Sequence, residues 1–481
     1  MPPSNPRSSS LVVSVSEMRW AVAAGRAGRA GRAGRVVVVG GSMAGLLAAR
    51  ALADHAESVV VLERERLSDE VAPRGRVPQG RHLHVLLSAG LDRLRQWFPG
   101  IEEELTSLGA VPVDGFGAWV HQGGAYRARG YWGRPGLGMT RPLLELVVRR
   151  RVAALPSVTI EDGVTVESLR VRQGRVTGVV VAGEARPADL VVDCSGRSSR
   201  IAHDLAAARL LDPPVTKVGI DIGYSSFFLR RAPEDFEGMF LVSIENPGSF
   251  RGGAVVPVEG DRWQVTLSGV HGDVPPATDD GLVDFAATLS TPAVAQLIAQ
   301  CERVSDIHTY RFPSSQRRHY EKVRALLPGL VTLGDASSSF DPIYGQGMTS
   351  SALQAAALGA VAGRVGILSD ELPKRFHRKA ARIIEAPWRI AVGGDFGHPK
   401  TVGDRPVGTA QLNGYMVRVI HAAHASLPVA RSFNRVLQLE DPPASLLRPS
   451  MVAKVLRASR RSPVVTGAEV RHPTVGPHPV G

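Results

Sequence analysis

Cysteine is nearly absent: the 481 residues include two, Cys194 and Cys301. That excludes a disulfide scaffold and a cysteine-rich metal site, and it suits a reducing cytoplasm. No apolar run reaches the roughly 18 residues that span a bilayer. The N-terminus does not place a basic head, a long apolar stretch and a cleavage site in that order, so no secretion signal is expected. Acidic residues are the minority, 45 against 57 Lys and Arg, for a net charge of +12. Residues 1–34 hold five Arg and one Glu, and residues 450–481 hold four Arg, one Lys and one Glu. Each end is therefore +4, and the body carries the remaining +4. The body shows no basic run interleaved with aromatics, so solvated basic tails are expected and no nucleic-acid partner.

Composition is otherwise that of a globular protein, 44% hydrophobic and 21% charged, long enough for two or three cores. Gly25, Gly28, Gly31 and Gly34 recur every third residue among Arg and Ala. The run is too short and proline-free for a collagen helix, and it buries too little to order itself. Residues 1–34 are expected to be a disordered basic extension, and whether they belong to the native protein is a question that intact mass answers.

Val36–Val39 is a wholly apolar β-branched run, the mark of a strand buried on both faces. Gly40-Gly41-Ser42-Met43-Ala44-Gly45 follows, then a helical stretch 46–53, a second buried strand 58–62, and Glu63. Glycines at such a turn allow a tight bend and close helix–strand packing, and the helix N-terminus then faces a pyrophosphate. Ser42 stands where the middle glycine is usual, small enough to keep the approach. Glu63 is placed to accept both ribose hydroxyls, with Arg64 along the adenosine.

A second motif selects the dinucleotide. Gly334-Asp335 ends the apolar strand 330–333, and Asp341-Pro342-Ile343-Tyr344-Gly345-Gln346-Gly347-Met348 follows. An aspartate there suits a ribitol hydroxyl. The turn leads into a helix whose N-terminus suits the flavin N1/O2 edge. FAD has both groups and NAD has neither.

These motifs, with Asp193-Cys194-Ser195-Gly196-Arg197-Ser198 and Arg141-Pro142-Leu143-Leu144, resemble those of the group A flavin monooxygenases, the fold of p-hydroxybenzoate hydroxylase and squalene epoxidase. A narrower resemblance is to actinobacterial polyether epoxidases of the lasalocid and monensin type. It is carried by Arg76-Val77-Pro78-Gln79-Gly80-Arg81-His82-Leu83-His84, Phe98-Pro99-Gly100 and Phe340–Gly345. The family implies an α/β fold: an FAD-binding Rossmann-like, glutathione-reductase-type domain with an inserted antiparallel β-sheet substrate domain and a C-terminal helical region. Glu63, Arg64, Arg81, Arg141, Val164, Asp335 and Met348 become FAD contacts, with Pro342 beside the reactive edge. Cys194-Ser195 departs from the family pattern. The tandem tryptophans of flavin-dependent halogenases are absent.

The expected division is the extension 1–34; an FAD-binding domain in three pieces, 35–112, 140–213 and 305–392; substrate-domain strands 113–139; a substrate-binding β-sheet domain 214–304; a helical region 393–458; and a flexible tail 459–481. One continuous helix is expected over 280–301. Cys194 reads as an inert buried thiol. Trp119, Trp132, Trp263 and Phe227-Phe228 read as core or pocket wall.

The resemblance implies transfer of one oxygen atom from a flavin C4a-hydroperoxide to an apolar natural-product or lipid-like substrate, by epoxidation or hydroxylation. His82 and His84 are the candidate catalytic side chains beside Pro342, and no metal site is expected. A second glycine-turn unit is missing, so either NAD(P)H docks transiently or a partner flavin reductase supplies electrons. An alkene reductase of the geranylgeranyl-reductase kind stays open, as does a basic nucleic-acid or membrane-surface binder with structural FAD.

Overall fold

A computed structural model describes residues 33–131, 135–244, 250–459 and 471–476. The extension up to residue 32 and Trp132 lie outside the described residues.

Five short strands form a parallel sheet in the order Leu330–Thr332, Leu190–Asp193, Arg35–Val39, Ser58–Leu62, Val158–Glu161. Their β-branched residues are buried on both faces because helices cover one side and a small antiparallel sheet the other. Val36, Val38, Val59 and Val61 pack with helices Met43–Leu52, Arg141–Ala153 and Gly347–Val365. Val37, Val60 and Val191 pack with Val176, Val179 and Val181 of the antiparallel Val166–Arg172, Arg175–Val181, Glu184–Pro187 sheet.

A larger mixed sheet forms the second layer. Its order is Ser338–Ser339, His308–Arg318, Val215–Arg230, Arg262–Val270, Gly252–Val258, Phe240–Ser243, Ala118–Gln122, Ala125–Tyr126. All pairs are antiparallel except 240–243 with 118–122. One face is sealed by helices Asp279–Ala287 and Ala293–Gln300 over Trp119, Phe227, Trp263 and Val265. Trp119, Trp263 and Phe227 are thus core, while Phe228 is half-buried beneath Arg262.

The fold class matches the sequence expectation, with one correction to its elements. The single helix expected over 280–301 is two, broken at Ser290-Thr291-Pro292. Proline lacks an N–H and biases its predecessor away from helix. Within the expected flexible tail, residues 471–476 are docked. Val475 bridges Phe236, and Thr474 Oγ1 and N donate to Glu237.

Beyond Gly393, helices Thr409–Ala425, Leu427–Leu437 and Pro449–Ser459 share their own apolar core. The second of them reaches back to the start of the 347–365 helix: Gln346 Nε2 donates to the Leu437 carbonyl (3.2 Å). No helix among the described residues is long and apolar enough to cross a membrane.

Candidate active site

The Gly40–Gly45 turn joins the 35–39 strand to the 43–52 helix. Gly40 N–H donates to the Leu62 carbonyl (2.8 Å) and Gly41 N–H to Glu63 Oε2 (2.7 Å). Glu63, 5% exposed, also accepts from Glu65 N–H (3.0 Å). Ser42 stands at the N-cap but makes no side-chain hydrogen bond to the helix backbone, so it leaves the N–H groups at Met43 and Ala44 uncapped. Its hydroxyl instead donates to Glu145 Oε2 (2.8 Å) and accepts from Arg141 (3.0 Å).

Tertiary folding adds Arg74, from the loop after Glu63. Its guanidinium lies 2.8 Å from Glu63, 3.2 Å from Glu65 and 2.7 Å from Glu145. Burial pushes the Glu63 carboxyl up, but the Arg74 charge and three hydrogen bonds more than offset it and leave it below the usual range. Sequence reasoning missed Arg74 and Glu145. Only the excess of Arg and Glu around 63–76 hinted at an ion-pair network.

Gly334 brings the second motif against the first. A Cβ there would stand 2.8 Å from the Ala44 side chain, so glycine is required for the approach. Asp335 follows, without a hydrogen-bond or ion-pair partner among the described residues. Burial raises its pKa, and the more distant Arg141 and Arg197 charges oppose this. Pro342 is exposed on the Pro342–Tyr344 turn, Gly345 packs near Val85, and Met348 is buried in the core. Gly347 opens the 347–365 helix with no side-chain cap and open space above it.

His82 and His84 lie between these parts and the large sheet. His82 Nδ1 meets Ser226 Oγ (2.8 Å), which meets Thr266 Oγ1 (2.6 Å). Burial, then His308 and Arg81, lower the His82 pKa to about 4, so the ring is neutral at pH 7. His84 Nδ1 contacts the His82 carbonyl (2.9 Å), which can only accept, so Nδ1 carries the proton. His84 Nε2 then accepts from Arg141 (3.2 Å). Both ring nitrogens of His84 are thus engaged, one with the backbone and one with Arg141. Arg81 reaches His308 (3.5 Å). Arg64 is exposed, and Val164 N–H ties to the Glu63 carbonyl (2.8 Å).

Asp193 explains the departure at Cys194-Ser195. Its buried carboxylate accepts from Ser195 N–H (3.0 Å), Ser195 Oγ (2.6 Å) and Ser199 Oγ (2.6 Å). Arg197 then crosses to the Ser314 backbone and sits over Phe312. Cys194 is buried and its thiol pKa is pushed well up, first by burial and then by Asp193. No metal-binding group of His, Cys, Asp and Glu occurs among the described residues.

A family model described as "FAD binding domain" matches residues 34–365. The chain belongs to this FAD-binding family. Protein Rv3254 of Mycobacterium tuberculosis is 30% identical over 423 residues, covering 84% of this chain and 89% of that protein. The flavin-dependent brominase Bmp2 shares the fold with a TM-score of 0.64 at 14% identity, over 89% of this chain and 98% of that one. PqsL of Pseudomonas aeruginosa, described as a probable FAD-dependent monooxygenase, gives 0.61 at 17% identity, over 79% and 99%. At these identities both show a common architecture.

The residues fit the family's cofactor. The uncapped helix starts at Met43 and Gly347 suit a pyrophosphate and an electron-rich ring edge. The partnerless Asp335 carboxylate suits a hydroxyl between them. Within the Pro342–Gly345 turn, Ile343 packs against Tyr224, Tyr310 and Phe312 of the large sheet.

Proposed function

We propose that this FAD-binding protein is a monooxygenase that transfers one oxygen atom to an apolar natural-product or lipid-like substrate, by epoxidation or hydroxylation. FAD, when bound, supplies two-electron chemistry and the activation of molecular oxygen. The first turn of the 43–52 helix holds the pyrophosphate, Glu63 the ribose, Arg64 and Val164 the adenosine side, and Asp335 the ribitol. Arg141, oriented by His84 and Glu145, steadies the phosphate turn. Gly347 and Met348 N–H groups hold the pyrimidine edge, and Pro342 borders the reacting face.

The observation that carries oxygen transfer is the chemistry facing Pro342–Gly345. Tyr224, Tyr310 and Phe312 line it, and His82, its pKa lowered to about 4, is a weak base with Nδ1 engaged by Ser226. Such a wall positions a substrate and excludes water without deprotonating it, which suits an electron-rich alkene. The motif resemblance at 76–84 and 340–345 favours epoxidation. No second glycine-turn unit follows a strand of the parallel sheet among the described residues, which suits NAD(P)H docking transiently or a flavin reductase delivering the electrons. The two buried thiols suit work in the cytoplasm.

The test is turnover under isotopically labelled oxygen, with product mass as the readout. Label in the product is expected. Unlabelled product formed equally well without oxygen replaces this reading with the alkene reductase.

A further inference from the structure

We infer that the substrate ends in a carboxylate, and that Arg127 binds it at the far end of the sheet face that begins beside the flavin turn. This rests on the oxygen-transfer reading above and adds a substrate class to it.

The strand register defines that face. Ser226 pairs with Thr266, Thr266 with Ala254, Ala254 with Val242, and Val242 with Val120. Arg127 N–H donates to the Val120 carbonyl (3.0 Å), which completes the row. Side chains directly opposite in neighbouring strands share a face. The row therefore runs from the His82–Ser226–Thr266 contacts to Arg127 across five strand spacings, about 24 Å. The reverse face is sealed core. On this one, Ala254, Val242 and Val120 are only half-buried although they sit on interior strands. They make an apolar floor.

Arg127 closes the row with an uncompensated charge. It is 7% exposed. Its side chain donates to Gln122 Oε1, its Nε has no partner, and the Phe433 ring lies 4.6 Å from the guanidinium. No carboxylate among the described residues reaches it, and burial alone lowers its pKa to about 10. Arg74 and Arg317, similarly buried, each hold two or more carboxylates. A buried cation without a counter-charge is costly, and a carboxylate matches the guanidinium fork. Phe433 and Leu437 belong to one helix, and Leu437 accepts from Gln346 of the flavin turn. That helix thus links the anion end to the flavin end.

The probe is cis-parinaric acid, titrated into FAD-loaded enzyme by its own fluorescence, with the methyl ester as the uncharged control. The acid is expected to bind on the order of tenfold or more tighter than the ester. Arg127→Met should remove that preference and leave ester affinity unchanged, and Arg127→Lys should restore part of it. Equal affinity of acid and ester in the wild type overturns the proposal without any variant, as does an absence of saturable acid binding. An acid preference that survives in a folded Arg127→Met protein overturns it too. Labelled-oxygen incorporation is read separately: acid preference without oxygen transfer sinks the oxygenase reading alone.

Discussion

Arg74→Met removes one guanidinium from a site where it meets three carboxylates and keeps the length of the aliphatic stem. The side chains of Arg74, Glu63 and Glu145 are 11%, 7% and 5% exposed, so water replaces little of the lost charge. Removing one partner of a buried pair costs about 3–5 kcal/mol. A chain of this size unfolds with an entropy near 1 kcal/mol per degree, so the melting temperature should fall by about 3–5 °C at pH 8. The pH dependence carries the sharper test. In the wild type the Glu63 pKa is lowered. Its stabilisation is present above the ordinary carboxylate value and is lost only as pH falls through the lower folded one. Without Arg74, burial dominates and the Glu63 pKa rises above its ordinary value. The variant's penalty is then relieved as pH falls towards that raised value, and the gap to wild type should narrow between pH 8 and pH 5.5. The assay is thermal melting followed by intrinsic fluorescence in matched buffers. A gap under about 1 °C at pH 8, or one that does not change with pH, would refute the network as described.

Three further outcomes are expected. Asp335→Asn removes a carboxylate that has no protein partner, so apoprotein melting should stay put while FAD affinity falls on the order of tenfold; unchanged affinity in a flavin titration counts against the ribitol assignment. Gly45→Ala would place a Cβ 1.8 Å from the Gly40 carbonyl oxygen, forcing the turn open; the purified protein should lack flavin absorbance, and normal cofactor content would contradict the geometry. His84 has a folded pKa of about 3 against an ordinary 6.5, mainly through burial. Its contribution is therefore full above pH 6.5 and is lost towards pH 3, by up to about 1.4 kcal/mol per pH unit. The other buried histidines whose pKa is lowered, His82, His121 and His377, add slopes of the same sign, so denaturant titrations from pH 7 to pH 5 should show the summed slope, and His84→Gln should reduce it by its own share and leave the rest.

The parts that were legible before folding are local. The 35–39 strand, its glycine turn and the 58–62 strand read from composition because a both-faces-buried strand is apolar throughout. The 330–332 strand and the start of the 347–365 helix were legible on the same grounds. Pro292 marked a break that the helical composition of 280–301 masked. The docking of residues 471–476 carried no local signal, since it depends on Glu237 and Phe236 far away in sequence.

By itself the sequence determined an FAD-type turn, its acid at Glu63 and its second motif at Asp335. Those features rest on backbone sterics and helix ends that a few adjacent residues specify. Only the tertiary structure decided that Arg74 closes on Glu63, that His84 holds Arg141, and that Arg127 shares a sheet face with Ser226. Strand alternation announces two faces, but it does not say which is sealed or which distant strand lies alongside. That choice belongs to the packing of helices 279–300 on one side and 427–437 on the other.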